Sequence, residues 1–204
     1  MYNKKPLIII GAGGHGRVLG DTAKLVGYTD ISFMDDNLQN NLSVIGTTKD
    51  IGKYANSHDF FVAVGNNLIR QAICNHVKSL GAGLISLVHP KATVAENVKV
   101  GDGVAIMAGA VVNNGAVLGD GVIVNTCASV DHDCIVGDYS HVSVGAHLAG
   151  TVKVGSGVMI GAGATVINNV SLCDRAVIGA GAVVIKDVEE EGTYVGVPAK
   201  RLNK

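Results

Sequence analysis

The sequence predicts two architectures in one chain: an α/β N-terminal domain of Rossmann-like βαβ type over residues 1–87, then a parallel β-helix of hexapeptide repeats over 88–189, with a tail at 190–204. Three observations predict this. A glycine turn, Gly11-Ala12-Gly13-Gly14-His15-Gly16, separates a short apolar run from an amphipathic stretch. From Val88 onward an aliphatic residue recurs every sixth position. The 204 residues contain 28 Gly and no Trp, and only 4% are aromatic, an unusual composition for an ordinary globular core.

In chain order, Leu7 to Ile10 reads as a buried strand, and the glycine turn leads into an amphipathic helix through Leu25 that ends at Gly27. Ile31 to Met34 is a second strand, closed by Asp35-Asp36. Asp59 to Val64 is a third, closed by Gly65-Asn66-Asn67. Ile69 to Leu80 is a helix, and Leu84 to Val88 leads into the repeat. Strands alternating with helices imply a small parallel sheet. The G-x-G-x-x-G spacing, with an acid about 20 residues on, fits a dinucleotide turn. A full dinucleotide domain needs two mononucleotide halves, however, and this segment supplies little more than one. The favoured reading is a site for a nucleotide-linked small molecule, with a purely structural glycine turn as the alternative. Amides at the helix start receive phosphate or sugar oxygens, and Asp35 and Asp36 accept from hydroxyls.

The repeat begins at Val88 and steps through Val94, Val100, Ile106, Val112, Leu118, Val124, Val130, Val136, Val142, Leu148, Val154, Ile160, Val166, Leu172, Ile178 and Val184. Four residues after each comes a small or β-branched residue, as in Ala110, Ala116, Val122, Ala128, Cys134, Ser140 and Ala146. Each hexad is a short strand and a turn. Three hexads close a triangular coil, and coils stack about 4.8 Å apart. A narrow triangular interior takes one aliphatic and one small residue per hexad, which accounts for the missing tryptophans. Glycine directly after the aliphatic (Gly101, Gly119, Gly137, Gly155, Gly161, Gly179) reads as the corner residue.

A net charge of −1 offers no field for a polyanion, so neither nucleic acid nor an anionic membrane is expected as a partner. The longest early apolar run is too short for a membrane span or a signal peptide, which predicts a cytoplasmic protein. Cys74, Cys127, Cys134 and Cys173 show no zinc spacing and read as reduced, buried thiols.

Polar residues interrupting a β-helix face are candidates for chemistry. They concentrate in Asn125-Thr126-Cys127-Ala128-Ser129-Val130-Asp131-His132-Asp133-Cys134, with His141 and His147 following. His132 lies outside both inward registers and points outward, flanked by two acids that can orient the ring and raise its basicity. Gly150 is one coil further in the same hexad place, where its amide can serve a developing oxyanion. His141 is half a coil away, too far for contact within one chain. His132, His141 and His147 fall on different sides of the coil, so no metal site is expected.

The two halves together resemble the sugar acyltransferases grouped with the sialic acid O-acetyltransferases, closest to the acetyl-CoA-dependent UDP-4-amino-sugar N-acetyltransferases of bacillosamine synthesis. The resemblance rests on the glycine turn, Phe33-Met34-Asp35-Asp36, Ala63-Val64-Gly65-Asn66-Asn67, Ser140-His141-Val142-Ser143-Val144-Gly145-Ala146 and Gly196-Val197-Pro198-Ala199-Lys200. It implies left-handed winding of the β-helix and a homotrimer with active sites at the subunit interfaces. It also implies His132 as general base with Asp133 increasing its basicity. The UDP-amino-sugar would rest on Gly13, Gly14, His15, Asp35, Asp36 and Gly65, and acetyl-CoA on His141, Gly150, Ala162 and Ala180. The sequence has Asp where that family has Glu beside the histidine, and Ala180 where it has Gly. Three other readings stand beside this one: the same scaffold with another acceptor, such as a sialic acid or GDP-perosamine; a non-catalytic β-helix that binds a ligand; and a nicotinamide oxidoreductase, which predicts NAD(H) binding and a larger first domain.

Overall fold

In the computed structural model, which describes residues 4–37 and 43–202, the chain divides into two compact units, Met1–Pro90 and Lys91–Lys204. The first is a five-stranded parallel sheet of order β3-β2-β1-β4-β5, made of β1 (Leu7–Ile10), β2 (Ile31–Met34), β3 (Val44–Gly46), β4 (Asp59–Val62) and β5 (Gly83–Leu84). The apolar run at β1 is buried along its whole length, as befits the central strand of a parallel sheet. Helix α1 (Gly14–Leu25) buries Gly16, Leu19, Gly20 and Ala23, and α2 (Asn67–Ser79) buries Arg70, Cys74 and Val77. Both stripes have the three-and-four spacing of one helix face.

Two elements escape the sequence reading. The short β3 extends the sheet beyond β2, and a 3₁₀ helix, Thr48–Lys53, follows it with a capping box between Thr47 and Asp50. The strand expected to reach Val64 ends at Val62, and α2 starts two residues early because the Asn66 side chain caps it by accepting from the Ile69 amide at 3.1 Å.

The second unit is the triangular β-helix. Two-residue strands recur from Thr93–Val94 to Val183–Val184, and as far as Thr165–Val166 each pairs in parallel with the strand eighteen residues on, as in Val111↔Ser129 and Val112↔Val130. One face carries Ser129–Val130 and His147–Leu148, the second Ile135–Val136 and Lys153–Val154, the third His141–Val142 and Met159–Ile160. Both inward positions of each hexad, from Val104 and Ile106 to Val184 and Val188, are at most 5% exposed. The buried hydroxyl in the small register is satisfied twice: Ser140 Oγ donates to Gly155 O at 2.7 Å and accepts from the Val158 amide at 2.9 Å. The residues read as a tail add to the third face. Thr193–Val195 pairs in parallel with Val177–Ile178, and Lys200–Arg201 lies antiparallel against it.

Two expectations are corrected. Left-handed backbone falls three places after the aliphatic, at Gly109, Gly115, Gly145 and Gly163 and also at Cys127, Asp133, Tyr139, Thr151, Asn169 and Arg175. The glycines directly after the aliphatic answer to crowding instead. A Cβ on Gly101 would stand 2.6 Å from Asp120 Oδ1 and 2.8 Å from the Asp120 amide. The thiols are free, but only Cys74 and Cys134 are buried. Cys127 is exposed because its left-handed corner turns it out of the core, and Cys173 is half-buried. Among the described residues no helix is long and apolar enough to cross a membrane.

Candidate active site

The glycine turn of the first unit divides its glycines by cause. Gly11 has φ +109° and a Cβ there would meet Ala63 O at 2.6 Å, while a Cβ on Gly16 would overlap Gly11 O. Those two glycines build the turn and seat α1 against it. Gly13 and Gly14 are exposed, and a Cβ on either would have no closer neighbour than Arg17 Nη2 at 3.9 Å. The protein itself does not require these two to be glycine. They leave a backbone that a ligand can approach closely.

His15, in the first turn of α1, has its Nε2 buried without a hydrogen-bond partner among the described residues. Burial, and then the positive charge of Arg70, hold its pKa below the ordinary histidine value. The acids after β2 are more committed than the sequence reading allows. Asp35 Oδ2 accepts the Ala12 amide at 2.7 Å and Oδ1 the Asn37 amide at 2.8 Å, so this carboxylate braces the turn from within the protein. Asp36 Oδ1 accepts both the amide and the hydroxyl of Thr48 at 2.9 Å, anchoring the 3₁₀ helix. Gly65 stands in the loop after β4 with open space around its Cα.

In the second unit, His132 occupies the corner between the strands Ser129–Val130 and Ile135–Val136 and is exposed. Its two flanking acids do different work. Asp133, held in left-handed backbone at φ +57°, places Oδ2 2.9 Å from His132 Nδ1. Asp131 Oδ1 accepts the His132 amide and the Asn113 side-chain amide, each at 2.7 Å, and so braces the backbone of the corner. The hydrogen bond that Asp133 accepts raises the His132 pKa; desolvation opposes it, and the charges of Asp131 and Asp133 add to it. With Nδ1 donating to a carboxylate, the neutral ring keeps its lone pair on Nε2.

Nε2 lies over the Gly150 backbone one coil on, where a Cβ on Gly150 would run into Nε2 and Cε1. Among the described residues nothing accepts from the Gly150 amide. On the opposite side Gly115 makes room for Asp133, since a Cβ there would strike Oδ1. His132 and its carboxylate partner thus sit between two glycines in neighbouring coils. Gly115 was not singled out in the sequence, though its place eighteen residues before Asp133 is a usable signal.

His141 lies on the third face and is 8% exposed. The Thr126 amide donates to Asn125 Oδ1 at 2.8 Å, so the other end of that side chain is its NH₂, which donates to His141 Nε2 at 3.0 Å. The neutral ring therefore carries its proton on Nδ1, the only nitrogen left for it. Ala162 and Ala180 are exposed in matching corner places eighteen residues apart. His147 pairs with Ser129 Oγ at 2.9 Å on the first face. The structure thus brings Gly150 to His132 and leaves His141 and His147 on other faces. Among the described residues no cluster of His, Cys, Asp or Glu has metal-binding geometry.

Residues 6–77 match the family model described as the PglD N-terminal domain, and residues 151–186 match the bacterial transferase hexapeptide, six repeats. The acetyltransferase domain of PglB from Neisseria gonorrhoeae FA1090 is 43% identical with a TM-score of 0.94, over 98% of this chain and 100% of that one. The same domain solved in complex with acetyl coenzyme A is 44% identical at the same TM-score and coverage. A histidine-to-alanine mutant of GDP-perosamine N-acetyltransferase from Caulobacter crescentus, solved with CoA and GDP-perosamine, is 33% identical at TM-score 0.94, over 98% of this chain and 97% of that one. The chain belongs to the PglD-type hexapeptide-repeat sugar N-acetyltransferases. Within this acetyltransferase, the PglD-type match contains Gly13, Gly14, His15, Asp35, Asp36 and Gly65. The hexapeptide match contains Ala162 and Ala180, while His132, Asp133, His141 and Gly150 precede it in the same run of hexads.

Proposed function

We propose that this acetyltransferase moves the acetyl group of acetyl-CoA onto the C4 amine of a UDP-4-amino-4,6-dideoxy-N-acetyl-hexosamine, giving UDP-N,N'-diacetylbacillosamine, by direct transfer with His132 as general base. The observation that carries the reading is the His132 corner: Nδ1 on Asp133, and Nε2 beside a glycine whose amide has no partner among the described residues. A sugar ammonium has no lone pair. His132 Nε2 takes its proton, the free amine attacks the thioester carbonyl, and the Gly150 N–H donates to the oxyanion as it forms. The tetrahedral species collapses with loss of CoA thiolate and of the second amine proton, leaving an amide. No covalent acyl-enzyme is required.

The nucleotide sugar rests on the amides of Gly13 and Gly14, on His15, on Asp35 and Asp36, and on the Gly65 loop. Acetyl-CoA lies along His141, Gly150, Ala162 and Ala180. The assembly is a homotrimer, as the resemblance implies. Commitment of Asp35 to the turn speaks against an NAD ribose at that position.

A GDP-linked amino sugar is the second reading, favoured by the 33% identity to the GDP-perosamine enzyme over nearly the full length. Thiol release from acetyl-CoA, measured against UDP- and GDP-linked 4-amino sugars and free sialic acid, separates these acceptors. Release with the UDP-4-amino sugar is the expected result. Release with none of them would leave the non-catalytic reading.

The pH dependence carries a sign. His132 must be unprotonated to act, and its pKa is raised, so kcat/KM for the acceptor climbs through a midpoint above the ordinary histidine value. Asp133→Asn removes the main cause of that shift. The midpoint then moves to lower pH while the plateau falls about tenfold or more, a weaker base being a poorer one. Rate profiles of the two proteins between mildly acidic and alkaline pH check both effects.

A further inference from the structure

Arg70 is fully buried, at 0% exposure, on the apolar stripe of α2 with Cys74 and Val77. An arginine is seldom buried to this degree without dedicated hydrogen bonds. Its Nη1 donates to Val64 O at 2.9 Å and to Gly65 O at 3.2 Å, and its Nη2 donates to Asn67 Oδ1 at 3.0 Å. Two of the acceptors belong to the loop between β4 and α2, and the third, Asn67, is the first residue of α2. The planar fork reaches back from the helix and fixes that loop at several points, which a single ammonium cannot do.

The position of the loop in the sheet gives this a consequence. In the order β3-β2-β1-β4-β5 the chain builds outward in one direction from β1 and in the other from β4, so the boundary between β1 and β4 is the topological switch point. Ligands of open parallel sheets bind outside the carboxyl ends of the strands at such a point. The segments leaving those two ends are the Gly11–Gly16 turn and the Val64–Asn67 loop, and a Cβ on Gly11 would already meet Ala63 O. Arg70 also acts electrostatically on His15 of the first turn.

We propose that Arg70 is a positioning residue for the nucleotide sugar, its guanidinium holding the Val64–Asn67 loop against the glycine turn so that the crevice at the β1/β4 switch point is preformed for a nucleoside diphosphate. This rests on the nucleotide-sugar reading above. The test is UDP and GDP binding by calorimetry, with KM for acceptor and for acetyl-CoA, on the full chain and its Arg70→Lys and Arg70→Gln variants. Both variants weaken nucleotide binding and raise the acceptor KM, by about 10- to 100-fold for Arg70→Gln, the loss expected if the released loop holds its binding-competent arrangement in only about 1–10% of molecules. Arg70→Lys, which keeps the charge and loses the fork, falls between that variant and the native protein. The KM for acetyl-CoA, and kcat at saturation, stay within about twofold.

Nucleotide binding within about twofold of native in both variants would overturn the proposal. So would a loss of acetyl-CoA affinity and kcat in proportion to nucleotide affinity, the mark of a merely structural arginine. If Arg70→Gln does not fold, Arg70→Lys gives the same readout. Native protein that binds neither nucleotide overturns the underlying reading and this role with it, and that failure is separable because it needs no variant.

Discussion

His132→Ala is expected to lower kcat by about 10²- to 10⁴-fold, the range that positioned acid–base groups supply. Binding of acetyl-CoA and of the nucleotide sugar should be close to native. The side chain is exposed at a corner and contributes nothing to the interior of the prism, so the variant folds and its thermal midpoint stays near that of the native protein. This pairing distinguishes a base from a structural residue, because losing a core residue would move stability first. His132→Gln is the companion variant. Its amide approximates the ring's volume and hydrogen bonding but cannot accept a proton at neutral pH, so its kcat should fall with that of the alanine variant. Steady-state kinetics together with thermal denaturation check the prediction, and a variant that kept most of its turnover would remove His132 from the mechanism.

Gly150→Ala is the second large effect, with a different cause. The added methyl would overlap His132 Nε2 and Cε1, so the ring must rotate off its bond to Asp133 or move away from the coil. A displacement of about 1 Å in a reacting group costs on the order of 10²-fold in rate. The Gly150 φ lies outside the left-handed region, so backbone strain does not account for the loss. A parallel exists within the fold: Ala162 and Ala180 occupy the same hexad place at another corner of the triangle, so that place in the hexad accepts alanine. The variant should therefore keep its stability and lose turnover. Combined with His132→Ala it should cost little more than His132→Ala alone, since the methyl then meets no ring. Full additivity of the two losses would mean that Gly150 acts independently of the histidine, through its amide alone.

The β-helix was legible because its interior admits two side chains per hexad at fixed places, and that constraint repeats for about a hundred residues without interruption. The turn residue was less legible. Left-handed backbone at the corner is carried by Gly, Asn and Asp, which favour it, and also by Tyr139, Thr151 and Arg175, which the stacked coils hold there. In the α/β unit, the strands with apolar runs could be read, while β3 is three residues, half-exposed, and has no periodic pattern.

Site residues divide in the same way. Type and spacing mark His132 and Gly150, one coil apart, because the repeat converts sequence distance into spatial distance. For Asp35 and Asp36 the sequence shows only acids at a strand end. Whether a carboxylate faces a ligand or braces its own turn depends on an amide twenty-three residues away in the case of Asp35, and no local pattern encodes that. A periodicity of apolar residues alone does not reveal Arg70. A cation at i−4 from Cys74 and i−7 from Val77, on the buried stripe of α2, is the signal that exposes it.

The most direct test of the central claim follows the acetyl carbon. Native protein is mixed with acetyl-CoA labelled in the acetyl group and with a UDP-4-amino sugar, and carbon NMR of the small molecules is read alongside the intact mass of the protein. The predicted result is one labelled amide on the sugar nitrogen for each CoA released, with no label on the protein at any time during turnover. Label retained on the protein, or CoA released at the same rate without the amino sugar, would contradict direct transfer to an amine assisted by His132.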